Sequence, residues 1–291
     1  MTDPLFDRAL GRRRLARALA PGFEDFLLRL AVEGICDRLS LVNRAFCAAL
    51  DLGTPTPLLA ESLGGRVFAR MAPLRETARG GTLNLVGDEE AQPFAPESFD
   101  LAVSALALQG VHDLPGALAQ ARRALRPDGL FLGCLVGGRS LHELRAALAA
   151  AEAEISGGAS PRVFPFADVR DMGGLLQRAG FALPVADAET TVVRYGDMFR
   201  LTADLRAMGA ANTLSARLRT PTRRALFLRA AEIYAERFSD SDGRLRATFE
   251  LIYVSGWAPH ESQQKPLRPG SAQMRLADAL KGARPSDDPG A

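Results

Sequence analysis

A chain of 291 residues with 47% hydrophobic and 24% charged residues has the makeup of an ordinary globular protein. A core of that size needs no disulfide or metal staple. A formal net charge of +2 gives no electrostatic case for a nucleic-acid partner. No apolar run reaches the roughly 18 residues of a membrane span. Arg17 interrupts the apolar stretch LARALA, so no signal peptide is expected either.

The basic residues are nearly all arginine, and five of them (Arg8, Arg12, Arg13, Arg14, Arg17) crowd the N-terminus. They form a charged arm that is either solvated or docked on an acidic partner or lipid headgroups. From Phe23 to Val42, apolar residues recur at helical spacing with charges opposite, which predicts an amphipathic helix packed on the core. A peripheral membrane or partner contact is the alternative for that face.

Short apolar runs then alternate with helical stretches. CAALDL precedes TPLLAESL, RVFAR precedes LRETAR, and TLNLV runs into an acidic turn. FDLAVSALAL precedes DLPGALAQARRAL, and GLFLGCLVGG follows. That cadence predicts an α/β fold, a parallel sheet covered on both faces through right-handed crossovers. Beyond it, LHELRAALAAAEAEI and ADVRDMGGLLQRAG read as helices, the second closed by Gly180. FALPVADAETTVVRY contains strand-like pieces, and two further helices cover DMFRLTADLRAM and PTRRALFLRAAEIYAERF. ATFELIYVSGW reads as a final strand, antiparallel near Phe249 to Ser255. From Pro259 the composition turns to that of a disordered or loosely docked tail.

Cys36, Cys47 and Cys134 show no CxxC or Cys/His pairing, so no metal site is expected. All three read as buried free thiols in a reducing compartment, the cytoplasm. His112, His142 and His260 form no ligand pair, and His112 beside Asp113 reads as a loop histidine before a helix. No hydrolase or nucleotide-triphosphatase motif occurs.

In an open α/β sheet, ligands bind beyond the carboxyl ends of the strands. The first strand ends at Asp51, Leu52 and Gly53, which places the loop 53–57 at that edge. This strand end resembles motif I of class I S-adenosylmethionine-dependent methyltransferases, an acidic strand end followed by a glycine-rich turn. Here the turn reads GTPTPLL. Pro55 and Pro57 fix φ and remove two amide donors. The family's acidic residue at the end of the second strand, which accepts from the ribose, corresponds to Arg70, and a guanidinium has no acceptor. Glu76 lies too far along to replace it. GDEEAQPFAPESFDLAVS resembles the segment in which an acidic residue meets the adenine, with Asp88 in that role and Glu89 adjacent. Cofactor-side residues implied by the resemblance are Asp51, Gly53, Asp88, Glu89 and Ser104; no catalytic residue is assigned.

SALALQGVHDLPGALAQARRALRPDGLFLGCLVGG, LHELRAALAAAEAEISGGASPRVFPFADVRDMGGLLQRAGF, DMFRLTADLRAMGAAN, IYVSGWAPHESQQKPLRPGSA and the N-terminal FDRALGRRRLARA occur in order between Leu5 and Ala272. Together they resemble the complex I assembly factor (arginine hydroxylase) family of alphaproteobacteria and mitochondria. That family is similar to the malonyl-carrier-protein methyltransferase of biotin synthesis. The resemblance implies a Rossmann-like seven-stranded, mostly parallel sheet with helices on both faces and a helical cap built between Arg139 and Phe238. It implies an N-terminal arm over 1–45, a methyltransferase-like domain over 46–258 with cap insertions within 139–240, and a tail over 259–291. It further implies S-adenosylmethionine as cofactor and a protein partner, a subunit of the respiratory NADH dehydrogenase. The family's histidine–tryptophan pair stands here as Gln109 and Gly110. With the cofactor side altered and the rest kept, three readings remain: an S-adenosylmethionine-dependent enzyme acting on that subunit, a non-catalytic assembly chaperone of pseudoenzyme type, and a small-molecule methyltransferase.

Overall fold

The computed structural model describes residues 4–264. In chain order the elements are α1 (Arg8–Leu19), α2 (Phe26–Ser40), β1 (Ala49–Leu52), α3 (Leu58–Ser62), β2 (Val67–Ala72), β3 (Leu83–Val86), β4 (Phe99–Ala105), α4 (Leu114–Ala124), β5 (Leu125–Val136), α5 (His142–Ser156), α6 (Val169–Arg178), β6 (Ala182–Tyr195), α7 (Met198–Ala207), α8 (Arg224–Phe238) and β7 (Leu245–Trp257). The strands form one seven-stranded sheet of order β3-β2-β1-β4-β5-β7-β6. β7 runs antiparallel to both neighbours, and the pairs from β3 to β5 are parallel. Strand order reverses between β1 and β4, so the loops after these strands flank the switch point where such sheets bind ligands.

Side chains alternate across the sheet, which divides the interior in two. Leu101, Val103, Leu130, Leu132 and Tyr253 face one core, which α2, α5, α7 and α8 cover. Leu50, Leu52, Ala102, Phe131 and Val254 face the other, under α4 and α6. Thus the helices between Arg139 and Phe238 contribute to both faces. Aspartates start several helices: Asp7, Asp113, Asp168 and Asp197 each accept a backbone N–H of the first turn. α6 ends as expected, with Gly180 at φ 86° after its C-cap Ala179.

Several expectations need adjustment. β6 is one continuous strand of 14 residues where separate pieces were expected. LRETAR gives only a 3-10 turn at Arg75–Thr77, since the stretch between Pro73 and Gly80 is too short to repay helix nucleation. The buried-thiol expectation holds for Cys134 alone; Cys36 is half-buried and Cys47 exposed. Cys47 precedes β1 and lies in a loop whose N–H donates to Asp100. The tail expected over 259–291 lies, from residue 265 on, outside the described residues.

Candidate functional site at the carboxyl edge

The centre of the edge is a buried ion pair. Asp51 and Arg70 are register partners on β1 and β2, and both are fully buried. The Arg70 guanidinium donates to Asp51 Oδ2 through Nη1. It also reaches the Thr54 carbonyl through Nη2 at 2.8 Å and the Thr77 carbonyl through Nε at 3.0 Å. One side chain therefore ties the end of β1, the loop after it and the turn after β2. Burial, followed by the nearby Arg79, pushes the Arg70 pKa down to about 10, so the guanidinium stays charged at neutral pH. Asp51 Oδ1 has no hydrogen-bond partner among the described residues.

The loop after β1 is tied down by the chain's own hydrogen bonds. Gly53 N–H donates to the Met71 carbonyl at 2.8 Å, and Thr54 Oγ1 accepts from the Ala105 N–H at 3.1 Å. Ser104 Oγ donates to the Leu52 carbonyl at 2.8 Å. Gly53 sits at φ 81°, and a Cβ there would lie 2.7 Å from Glu89 Oε1 and 3.0 Å from the Ala107 Cβ. Glu89 thus packs onto the glycine face that a cofactor would need.

The acidic turn 88–90 is closed by the N-terminal helix. Arg8 contacts all three carboxylates: Asp88 at 2.9 Å, Glu90 at 2.5 Å, and Glu89 through Nη2. Arg12 adds a second contact to Asp88 at 2.7 Å. Burial pushes the Glu89 pKa up, and Arg8 only partly opposes this. Against its own burial, Glu90 is held below the usual range by the Asp113 N–H and Arg8. Burial alone would lower the Arg8 pKa; Glu89 and Asp88 outweigh it and hold the guanidinium above its ordinary value.

The structure therefore brings Asp51, Gly53, Asp88, Glu89 and Ser104 to one edge. Asp113 serves as the N-cap of α4, and His112 Nδ1 accepts from the Phe6 N–H at 3.4 Å. Glu76 is exposed. Sequence reasoning missed the pairing of Arg8 and Arg12 with the turn 88–90. Its one signal was a cluster of arginines in one segment and of carboxylates in another.

These residues do not fit S-adenosylmethionine. In the roles the resemblance implies, Arg70 offers the ribose no acceptor, Glu89 covers Gly53, and Asp88 and Glu89 already hold arginines. Asp51 Oδ1, one of the buried acceptors without a partner among the described residues, is fully buried and so is closed to a cofactor donor.

Comparison with known proteins follows the same lines. A family model described as a methyltransferase domain matches residues 57–133, beginning at the last residue of the altered loop. The zebrafish (Danio rerio) protein named arginine-hydroxylase NDUFAF5, mitochondrial, is 37% identical over 289 residues, covering 95% of this chain and 90% of that protein. Malonyl-[acyl-carrier protein] O-methyltransferase of Methylovorus sp. is 34% identical over 275 residues, covering 88% of this chain and 90% of that protein. Among solved structures, a Bacillus halodurans protein assigned to the methyltransferases superposes with a TM-score of 0.54 at 14% identity, covering 79% of this chain and 99% of that one. That likeness concerns the fold.

Proposed function

The chain belongs to the methyltransferase-fold family of arginine-hydroxylase NDUFAF5, and from that premise we propose that it serves respiratory complex I assembly by binding a subunit of the complex, without S-adenosylmethionine. The observation that carries this reading is the fully buried Asp51–Arg70 pair, at the strand ends where the resemblance puts the cofactor side. Substitutions that only weakened binding would leave a void. Here all three nitrogens of the replacement side chain donate to protein oxygens, as in a fold kept for its surface. The long match to the relatives, covering 95% of the chain, supports retention of a protein-facing role. No helix among the described residues is long and apolar enough to cross a membrane. We place its action in the cytoplasm, where three unpaired cysteines are at home.

The test is capture of complex I subunits by the tagged full chain from cells of its own source. A peripheral-arm subunit is expected to co-purify, in an amount that added S-adenosylmethionine does not change. Capture that depends on S-adenosylmethionine, or no complex I subunit in the eluate, would contradict the proposal.

A further inference from the structure

The segment that closes the cofactor side is held differently from the rest of the fold. α1 buries a single residue, Ala18, and neither Ala18 nor Phe6 belongs to the two sheet-face cores. Three other kinds of contact anchor the arm. Its backbone pairs with a loop: Phe6 bridges Leu214 antiparallel, the Asp7 N–H donates to the Thr213 carbonyl at 2.7 Å, and the Ser215 N–H donates to the Leu5 carbonyl at 3.0 Å. Next, the Phe6 ring, 5% exposed, stacks against His112 at 6.1 Å and tilts against Phe164 at 5.1 Å between centroids. Two residues on, Arg8 enters the three carboxylates of the acidic turn. Arg217 on Asp7, at 3.0 Å, and Arg14 on the Asn212 carbonyl complete the attachment.

Backbone pairing, a side-chain slot and a charge cradle at fixed spacing are the parts by which folded domains take extended peptides. The cradle also carries more negative charge than the arm supplies, three carboxylates against the guanidiniums of Arg8 and Arg12. Glu89 is 5% exposed and sits where a charged carboxylate requires a cation. Past Leu5 the groove continues as a cavity of about 510 Å³ lined by Leu148, Pro161, Val163, Phe166 and Leu214. Between α1 and α2, Gly22 holds φ 122° with open space around it, a conformation that suits a hinge.

We propose that residues 4–19 are an exchangeable strap, and that the groove beneath takes a partner segment with an aromatic residue two positions before an arginine, the place held in the free protein by Phe6 and Arg8. This deepens the function proposed above and rests on it, because a cofactor held by Asp88 and Glu89 would claim the same carboxylates. The arginine is here an anchor bound by ion pairs.

A fluorescently labelled peptide of residues 4–19, added to the full chain carrying Phe6→Ala and Arg8→Ala, tests the exchange by anisotropy. It is expected to bind the variant about ten-fold more tightly than the wild type, whose groove is filled. A peptide with the same two residues changed to Ala should show no such preference. Equal binding of both peptides, or binding to neither protein, would overturn the proposal. Hydrogen exchange of the wild type decides the matter if the variant does not fold. In the wild type, α1 amides should exchange about ten-fold faster than α2 amides. Exchange of α1 and α2 at one common rate would overturn the strap. Neither readout involves S-adenosylmethionine, so failure here leaves the cofactor-free reading to be judged by its own titration.

Discussion

Replacing Arg70 with Met is expected to destabilise the fold by about 3–5 kcal/mol, the usual cost of removing one partner from a buried ion pair. For a domain of this size that is a fall in melting temperature of roughly 10 °C. The cost arises from what remains. Asp51 stays fully buried, loses the donor on Oδ2 and already has none on Oδ1. The carbonyls of Thr54 and Thr77 lose their donors too. Methionine keeps most of the packing volume, so the loss reports on charge and hydrogen bonds. Adding Asp51→Leu should recover most of it, because two apolar groups of similar volume can replace a buried pair at little net cost. Thermal unfolding of the two single variants and the double variant gives the coupling directly. A loss under about 1 kcal/mol for Arg70→Met would show that the pair does not organise this edge.

Gly34→Ala is expected to destabilise by about 2 kcal/mol, against the local preference of a helix. Gly34 lies inside α2, where alanine alone would gain up to about 1 kcal/mol. The new Cβ would fall on the phenol ring of Tyr253, within contact of Oη, Cζ and Cε1. That ring cannot retreat. Tyr253 is 2% exposed on β7, its hydroxyl donates to the Leu30 carbonyl at 3.1 Å, and the Arg38 guanidinium lies 3.6 Å from its centroid. Overpacking at such a site costs about 1–3 kcal/mol, or more where nothing can move, and it outweighs the helical gain. Denaturant unfolding measures the sign. A stabilised Gly34→Ala protein would mean that α2 stands farther from the sheet than described.

These two sites mark what the sequence could and could not convey. The alternation of strands and helices was legible because hydrophobic period is a local property. The runs around Leu101–Ala105 and Leu130–Cys134 became β4 and β5 in the expected places. Gly180 ended its helix for a reason confined to its own backbone. That Arg70 offers no acceptor was equally legible, since a guanidinium cannot accept wherever it points. Its partnership with Asp51 required the register of β1 on β2, which no local pattern specifies. The arm was out of reach for the same reason. Arg8 lies 80 positions or more before Glu89 and Glu90, and a cluster of arginines reads the same whether solvated or bound to the chain's own carboxylates. Cys47 was misplaced because an apolar run does not show where pairing begins; β1 starts two residues later.

Calorimetric titration of the intact wild-type chain with S-adenosylmethionine bears most directly on the central claim, that the chain's own Arg70, Glu89 and Arg8 occupy the cofactor side of the fold. The account predicts no saturable heat and no rise in melting temperature. By contrast, a ligand with a Kd of about 10 µM, present at about 1 mM, would stabilise by roughly 2.7 kcal/mol. Saturable binding in the micromolar range, with the matching thermal shift, would contradict the account and return the chain to the S-adenosylmethionine-dependent enzymes.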